Sequence, residues 1–236
     1  MKHAAWLAVA LTVPALTGCG RESHDSLRKQ QTQTVTEAAA ALAAATDSAT
    51  VEAARPKLKT VSERWRDVEK RQGALPVPTP EQAAELQRKY EAELTAARQR
   101  FADEAVRVAA LPGGKQTLDE VGDIAKLCAF DAHEVVRKQQ IQTAKEAADL
   151  LEGIKDRAGV EAAKPRVREL MTRWQNLEKS QETLPALSPD QQAELKKRHE
   201  DAFNGVAMRF GRERLRVAFV PGAMDALKEF NDIKKK

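Results

Sequence analysis

The chain contains one helical stretch twice, and this repetition restricts its fold more than any other feature. Residues 50–72 read TVEAARPKLKTVSERWRDVEKRQ and residues 159–181 read GVEAAKPRVRELMTRWQNLEKSQ, so the copies align without a gap at an offset of 109 residues. Apolar residues recur in both at alternating intervals of three and four, which predicts a helix with one narrow apolar seam. The seam residues are Val51, Ala54, Leu58, Val61, Trp65 and Val68 in the first copy, and Val160, Ala163, Val167, Leu170, Trp174 and Leu177 in the second. We expect both tryptophans to be buried at equivalent places.

Helix-breaking segments divide each copy into further helices. Residues 75–80 (LPVPTP) and 184–189 (LPALSP) each precede a long third helix, which PGG at 112–114 and PGA at 221–223 end. Aromatic residues make up only 4% of the chain, as in long helices with thin seams. The sequence therefore predicts an all-α fold of two tandem three- to four-helix antiparallel bundles, with helical repeat 1 at residues 27–126 and helical repeat 2 at 127–236. The first helix of repeat 1 is alanine-rich, so we expect this repeat to have the thinner and less stable core.

The junction between the repeats carries its own apolar pattern. Residues spaced three and four apart continue through it, namely Leu118, Val121, Ala125, Cys128, Ala132 and Val135. A flexible linker would need Pro, Gly or Ser between residues 126 and 134, and none is present. We therefore expect a continuous helix to join the two bundles. This layout resembles the spectrin-repeat arrangement of three helices per unit with a tryptophan in the seam, a resemblance that implies architecture only.

The N-terminus has the pattern of an export signal. Lys2 and His3 precede an apolar run that ends in Leu16-Thr17-Gly18-Cys19, and residues 1–18 are too short for a membrane-spanning helix. The last four residues resemble the lipobox of bacterial lipoproteins. The resemblance implies cleavage before Cys19, acylation of its thiol, and a membrane-anchored exported protein whose residues 19–26 form a lipidated tether. Since Gly20 stands where an aspartate would retain the protein in the inner membrane, we expect the outer membrane if the organism has one. The alternative is an ordinary signal peptide with a chance cysteine.

Polar residues that recur between the copies are the candidates for binding a partner. Arg28, Lys29, Gln30 and Gln31 return as Arg137, Lys138, Gln139 and Gln140. They either support their own helices through pairs three or four residues apart or line a polar groove that holds a protein or peptide. The formal net charge of +4 is finely interspersed and includes Lys2, so nucleic acid is not an expected partner.

Candidate catalytic residues lack the partners that known chemistry requires. His133-Glu134-Val135-Val136-Arg137 begins like a zincin helix, but Arg137 stands where the second metal-binding histidine belongs. Cys128 lies five residues before His133, a poor spacing for contact on a helix, and we interpret it as a buried free thiol. The glycine pair at 113–114 lacks the lysine and serine of a phosphate loop. We therefore predict no catalytic activity, metal or cofactor.

One further motif leaves two classes of function open. Leu187-Ser188-Pro189-Asp190-Gln191 resembles the Leu-Thr-x-x-Gln motif of the periplasmic Spy and CpxP helical chaperones, and Pro78-Thr79-Pro80-Glu81-Gln82 matches it less well. The same residues also suit a well-capped helix start. The chain is expected to be a lipid-anchored binding or scaffolding module of the cell envelope, or else a chaperone-like stress protein. An exposed apolar or basic concave surface would favour the chaperone, and a fully polar exterior the scaffold.

Overall fold

The computed structural model describes residues 22–221 and 223, and this part of the chain is all-α, as the sequence predicts. Its helices in chain order are α1 (His24–Ala43), α2 (Ser48–Ala74), α3 (Pro80–Ala109), α4 (Gly114–Glu120), α5 (Gly122–Leu127), α6 (Ala129–Gly153), α7 (Arg157–Thr183) and α8 (Pro189–Ala218). We call α1 to α5 the first unit and α6 to α8 the second. Both α7 and α8 begin and end 109 residues after α2 and α3.

Each unit has its first helix at the centre. Helix α1 packs against both α2 and α3, and α6 packs against both α7 and α8. Arg107, near the end of α3, donates hydrogen bonds to the carbonyls of Leu42 and Ala45 at the end of α1, so these two helices run parallel. Arg216 on α8 does the same at the end of α6. Both units therefore run up, down and up.

Side-chain caps fix where the helices start. Asp47 and Asp156 accept hydrogen bonds from backbone N–H groups in the first turns of α2 and α7. Thr79 and Ser188 form capping boxes with Gln82 and Gln191 at the starts of α3 and α8. Ser23 caps α1, which begins at His24, so helix already covers the last residues of the segment predicted as a tether.

The joint between the units is helical, as predicted, but it is not one uninterrupted helix. Val121, with φ −108° and ψ 31°, separates α4 from α5, and Cys128, with φ −94° and ψ 3°, separates α5 from α6. Gly122 next to the first break has low helix propensity, which makes bending there inexpensive. All six residues of the predicted junction stripe are buried. The chain therefore bends at two points, and the six residues of the stripe still lie in the core.

One apolar cluster crosses the boundary between the units. Helix α3 packs against α6 and α7 as well as α1. Val135 and Val136 of α6 and Leu177 and Leu184 at the end of α7 belong to the same buried cluster as Phe101 of α3. A second, smaller cluster lies among α6, α7 and α8. The repeats thus share a core.

Among the described residues, the larger apolar cluster is the one centred on the first unit, where the sequence predicts the thinner core. Ala38 and Ala39 of α1 are fully buried, and their small side chains let α1 lie close to α3. The lower stability of this repeat stays a prediction. The prediction of burial is right for Trp65, which is 4% exposed, and wrong for Trp174, which is only half-buried. The indole N–H of Trp174 donates to Glu178 on its own helix at 2.9 Å.

Candidate functional site

The predicted lipidation site, Cys19, lies outside the described residues. Only Gly20 and Arg21 separate it from Glu22, where the described chain begins. A search of the described helices found none that is long and apolar enough to cross a membrane.

In the first unit, the candidate partner-binding residues mostly contact their own bundle. Gln31 is buried and donates to the side-chain oxygen of Gln72 on α2 at 2.5 Å, and Arg28 donates to Gln31 at 3.2 Å. Gln30 accepts from Arg71 at 2.7 Å. Lys29 is exposed. These contacts join α1 to α2.

The second unit repeats the central contact. Buried Gln140 donates to Gln181 at 3.2 Å, the counterpart of the bond between Gln31 and Gln72. The guanidinium of Arg137 lies 5.0 Å from the ring centre of Phe203, a cation–π contact. Lys138 pairs with Glu134 on the same helix at 3.3 Å, and Gln139 is exposed. Identity between the copies is thus explained in part by packing, and Lys29, Lys138 and Gln139 are the members most accessible to a partner.

A polar cleft lies between α1 and α2 next to these residues. It has a volume of about 230 Å³ and is lined by Gln30, Gln33, Thr34, Arg64, Asp67, Val68 and Arg71. A hydrogen bond from Arg64 holds the pKa of Glu37 below its usual value at the side of this cleft. In the second unit the corresponding Glu146 pairs with both Arg166 and Arg173. The space suits one polar side chain rather than a long segment.

A larger cleft opens at the end of the first unit where α1 begins. Its volume is about 540 Å³, and it is lined by Glu22, Ser23, His24, Asp25, Leu75, Pro76, Val77, Gln82, Glu85, Leu86 and Lys89. We call it the end cleft. Lys89 donates to Asp25 at 2.6 Å, and this hydrogen bond lowers the pKa of the Asp25 carboxyl. His24 contacts the Pro76 carbonyl at 2.8 Å, which fixes the start of α1 to the connection between α2 and α3.

The matching place in the second unit is filled by an aromatic ring. Phe130 packs against Leu187 and Leu195, and the guanidinium of Arg198 lies 4.9 Å from its ring centre. Leu86 and Lys89 hold the places of Leu195 and Arg198 in the first unit, but Arg21 stands at the position of Phe130. The sequence patterns above do not predict this cleft. The signals for it are two differences between the copies, Arg21 at the position of Phe130 and Pro78 at that of Leu187.

The residues that began like a zincin motif have other roles. His133 contacts the Pro185 carbonyl at 3.0 Å, just as His24 contacts Pro76, and burial lowers its pKa. Glu134 lies 3.4 Å from His199 on α8. Burial raises the pKa of the Cys128 thiol to about 12, so this free cysteine is a protonated core residue at neutral pH. In residues 22–221, no group of three or more His, Cys, Asp or Glu side chains is placed to hold a metal ion.

The outer face of α8 exposes large apolar side chains. Met208 is 72% exposed, Leu215 69% and Phe219 89%. Their spacing of seven and four residues places them on one side of the helix. Among the described helices, α8 packs closely against α6 alone, whereas α3 is covered by α1, α4, α6 and α7.

Comparison with known proteins places the chain in no family. No protein-family model matches it, and no curated protein or solved structure is significantly similar.

Proposed function

We propose that the chain is a lipid-anchored helical module of the cell envelope that binds or scaffolds other components and catalyses no reaction itself. The observation that carries this proposal is Leu16-Thr17-Gly18-Cys19 at the end of a signal-like segment. Cleavage before Cys19 and acylation of its thiol would hold the protein on the membrane, because several acyl chains together give stable anchoring.

The body of the molecule supports a binding role through its surface. Much of its exterior consists of charged side chains in pairs, such as Arg64 with Glu37 and Arg55 with Glu120. The candidate contacts for a protein or peptide are the exposed residues Lys29, Lys138 and Gln139, together with the end cleft. Lys29, Lys138 and Gln139 lie on α1 and α6, and the end cleft lies where α1 and α3 meet the connection after α2, which suits a module that positions a partner.

A chaperone-like function is the second candidate, and the exposed apolar stripe on α8 favours it. That stripe lies on a single helix rather than in a concave surface. The residues that resemble the Spy and CpxP motif are engaged in capping: Ser188 accepts from the Gln191 backbone at 3.3 Å, and the Gln191 side chain accepts from the Ser188 backbone at 3.0 Å. We therefore place the scaffold first.

Membrane fractionation tests the anchor. The Cys19→Ala chain should move from the membrane to the soluble exported fraction and lose incorporation of labelled palmitate, because it lacks the acylated thiol. The Cys128→Ala chain is the matched control and should keep both, since Cys128 is buried in the core. In an organism with an outer membrane, the wild-type chain should sediment with it, and Gly20→Asp should shift the protein to the inner membrane. Membrane retention of the Cys19→Ala chain would refute the proposal.

A further inference from the structure

The contact between the two units shows which surfaces of this fold pack together. The Ser180 hydroxyl near the end of α7 donates to the Val106 carbonyl of α3 at 2.8 Å, and Lys179 donates to the Ala110 carbonyl at 2.9 Å. Leu184 follows on α7's C-terminal side and enters the shared core. The end of α7 therefore lies on the C-terminal face of α3.

Helix α8 carries the counterpart of that face without a cover from the described residues. Leu215 and Phe219 stand 109 residues after Val106 and Ala110. Val106 is 4% exposed, whereas Leu215 is 69% exposed and Phe219 89%. Gly211 replaces Ala102 one turn earlier and leaves room for close approach. The part of α3 that receives the end of α7 thus has a counterpart on α8, and none of the described residues covers that counterpart.

The end of α7, which covers α3 in the contact between the units, also has a counterpart at the other end of the molecule. Leu75, Pro76 and Val77, where α2 ends, correspond to Leu184, Pro185 and Ala186, where α7 ends. Val77 is 92% exposed, and all three residues line the end cleft. That cleft is the equivalent of the place where Phe130 packs in the second unit, and none of the described residues puts an aromatic ring there.

We propose that copies of this chain associate head to tail, with the outer face of α8 in one copy receiving the end of α2 and the end cleft of the next. Phe219 supplies the aromatic ring that the end cleft lacks. Leu215 packs against Leu75 and Val77. The contact repeats between molecules the packing that joins the two units within one molecule.

Charges at the two ends are complementary. Glu85 adds a negative charge to the end cleft, where Asp25 pairs with Lys89 and Glu22 with Arg71. Arg212, whose side chain is 74% exposed and pairs with Glu213, lies beside Leu215 on α8. Lys70 stands at the position of Lys179 and would meet the carbonyls at the C-terminal end of α8, where a cation is favoured. Arg71 replaces the smaller Ser180, so we expect looser packing and concentration-dependent association.

Two substitutions at exposed positions test the proposal, each introduced into the whole chain carrying Cys19→Ala so that no acyl chain contributes. The unsubstituted Cys19→Ala chain should show a mass in sedimentation velocity that rises with concentration, because a head-to-tail contact leaves both ends free for further copies. Leu215→Glu and Val77→Glu should each be monomeric alone. Ala53→Glu, at an exposed position of α2 far from the end cleft, is the matched control and should associate like the unsubstituted chain.

Mixing the two variants gives the decisive result. Leu215→Glu keeps an intact end cleft and Val77→Glu keeps an intact α8, so an equimolar mixture should form a dimer and nothing larger. If α8 instead paired with α8, Val77→Glu would still self-associate and mixing would produce no new species, which overturns the proposal. A Cys19→Ala chain that stays monomeric at every concentration overturns it as well. Circular dichroism confirms that each variant is folded.

Discussion

Trp65 and Trp174 hold the same register on α2 and α7 but have different surroundings. Trp65 is 4% exposed within the cluster that both units share, whereas Trp174 is half-buried and directs its indole N–H to Glu178. The amount of apolar surface that each ring removes from water therefore differs.

Replacing each tryptophan with alanine should show this difference. Trp65→Ala should lower the free energy of unfolding by about 3–5 kcal/mol, because it opens a cavity in the core. Trp174→Ala should cost less, about 1–2 kcal/mol, because part of the ring is already exposed to water. Urea unfolding followed by circular dichroism measures both values. Equal losses at the two positions would contradict the burial seen here.

For single residues, the sequence predicts which face of a helix is apolar better than it predicts how much of each side chain is exposed. The periodicity of Val51 to Val68 correctly placed Trp65 on a buried face. It could not show that Trp174 would be less covered, because coverage depends on neighbouring helices: α4 and α5 pack against α2 in addition to α1, and the periodicity of one helix does not predict such neighbours. The end cleft likewise depends on a side chain from a neighbouring segment, Phe130, and on its absence at Arg21.

Among the helices, the contact that fixes the ends of α1 and α3 is a single arginine. Arg107 donates to the Ala45 carbonyl at 2.5 Å and to the Leu42 carbonyl at 2.8 Å, and it also pairs with Glu104. The Leu42 carbonyl lies in the last turn of α1 and also accepts from the Ala45 N–H at 3.0 Å, whereas the Ala45 carbonyl lies just beyond the helix. Arg216 repeats the arrangement at Leu151 and Ile154 of the second unit.

Arg107→Ala should therefore lower the free energy of unfolding by about 1–2 kcal/mol. This value is in the lower part of the range for hydrogen bonds to a charged group, because the Arg107 side chain is 39% exposed and water weakens its interactions. Arg216→Ala should cost a similar amount. Arg100→Ala, on an exposed position of α3, is the control and should change stability little. Thermal unfolding of the three variants measures the differences. A loss for Arg107→Ala no larger than that of Arg100→Ala would contradict the capping role.

Helix boundaries were readable from sequence where a capping residue and proline coincide. Thr79 with Pro80 and Ser188 with Pro189 mark the starts of α3 and α8 as predicted. The breaks at Val121 and Cys128 were not readable, because neither residue is a helix breaker. The bends arise from packing, because α4 and α5 lie against α2 and the chain has to change direction before α6 begins.

For the whole molecule, the repeat predicted two bundles but not their side-by-side contact. Ser180 on α7 corresponds to Arg71 on α2, so the residue that lets α7 approach α3 is one of the positions where the copies differ. Residues that are identical in the two copies indicate contacts made within each unit. Contacts between the units depend on positions where the copies differ, and one sequence does not show which of those positions form contacts.

The shared core leads to the expectation that the two units unfold together. Leu184 of α7 is 6% exposed inside the cluster centred on the first unit, and Leu170 lies in the smaller cluster of the second. Trp65 reports on the first unit and Trp174 on the second once Trp6 and the other tryptophan are replaced by phenylalanine. Fluorescence transitions of the two single-tryptophan chains in urea should have the same midpoint.

Core substitutions sharpen this comparison. Leu184→Ala and Leu170→Ala should each cost about 2–5 kcal/mol and should shift both tryptophan transitions by equal amounts, because unfolding either unit uncovers the apolar face of the other. Independent bundles would behave differently: Leu170→Ala would move the Trp174 transition and leave that of Trp65 in place. Two separate midpoints in the chain without core substitutions would show that the contact of α3 with α6 and α7 contributes little to stability. A contact that weak within one molecule would also be too weak to hold separate copies together, since the proposed association reuses the same surfaces.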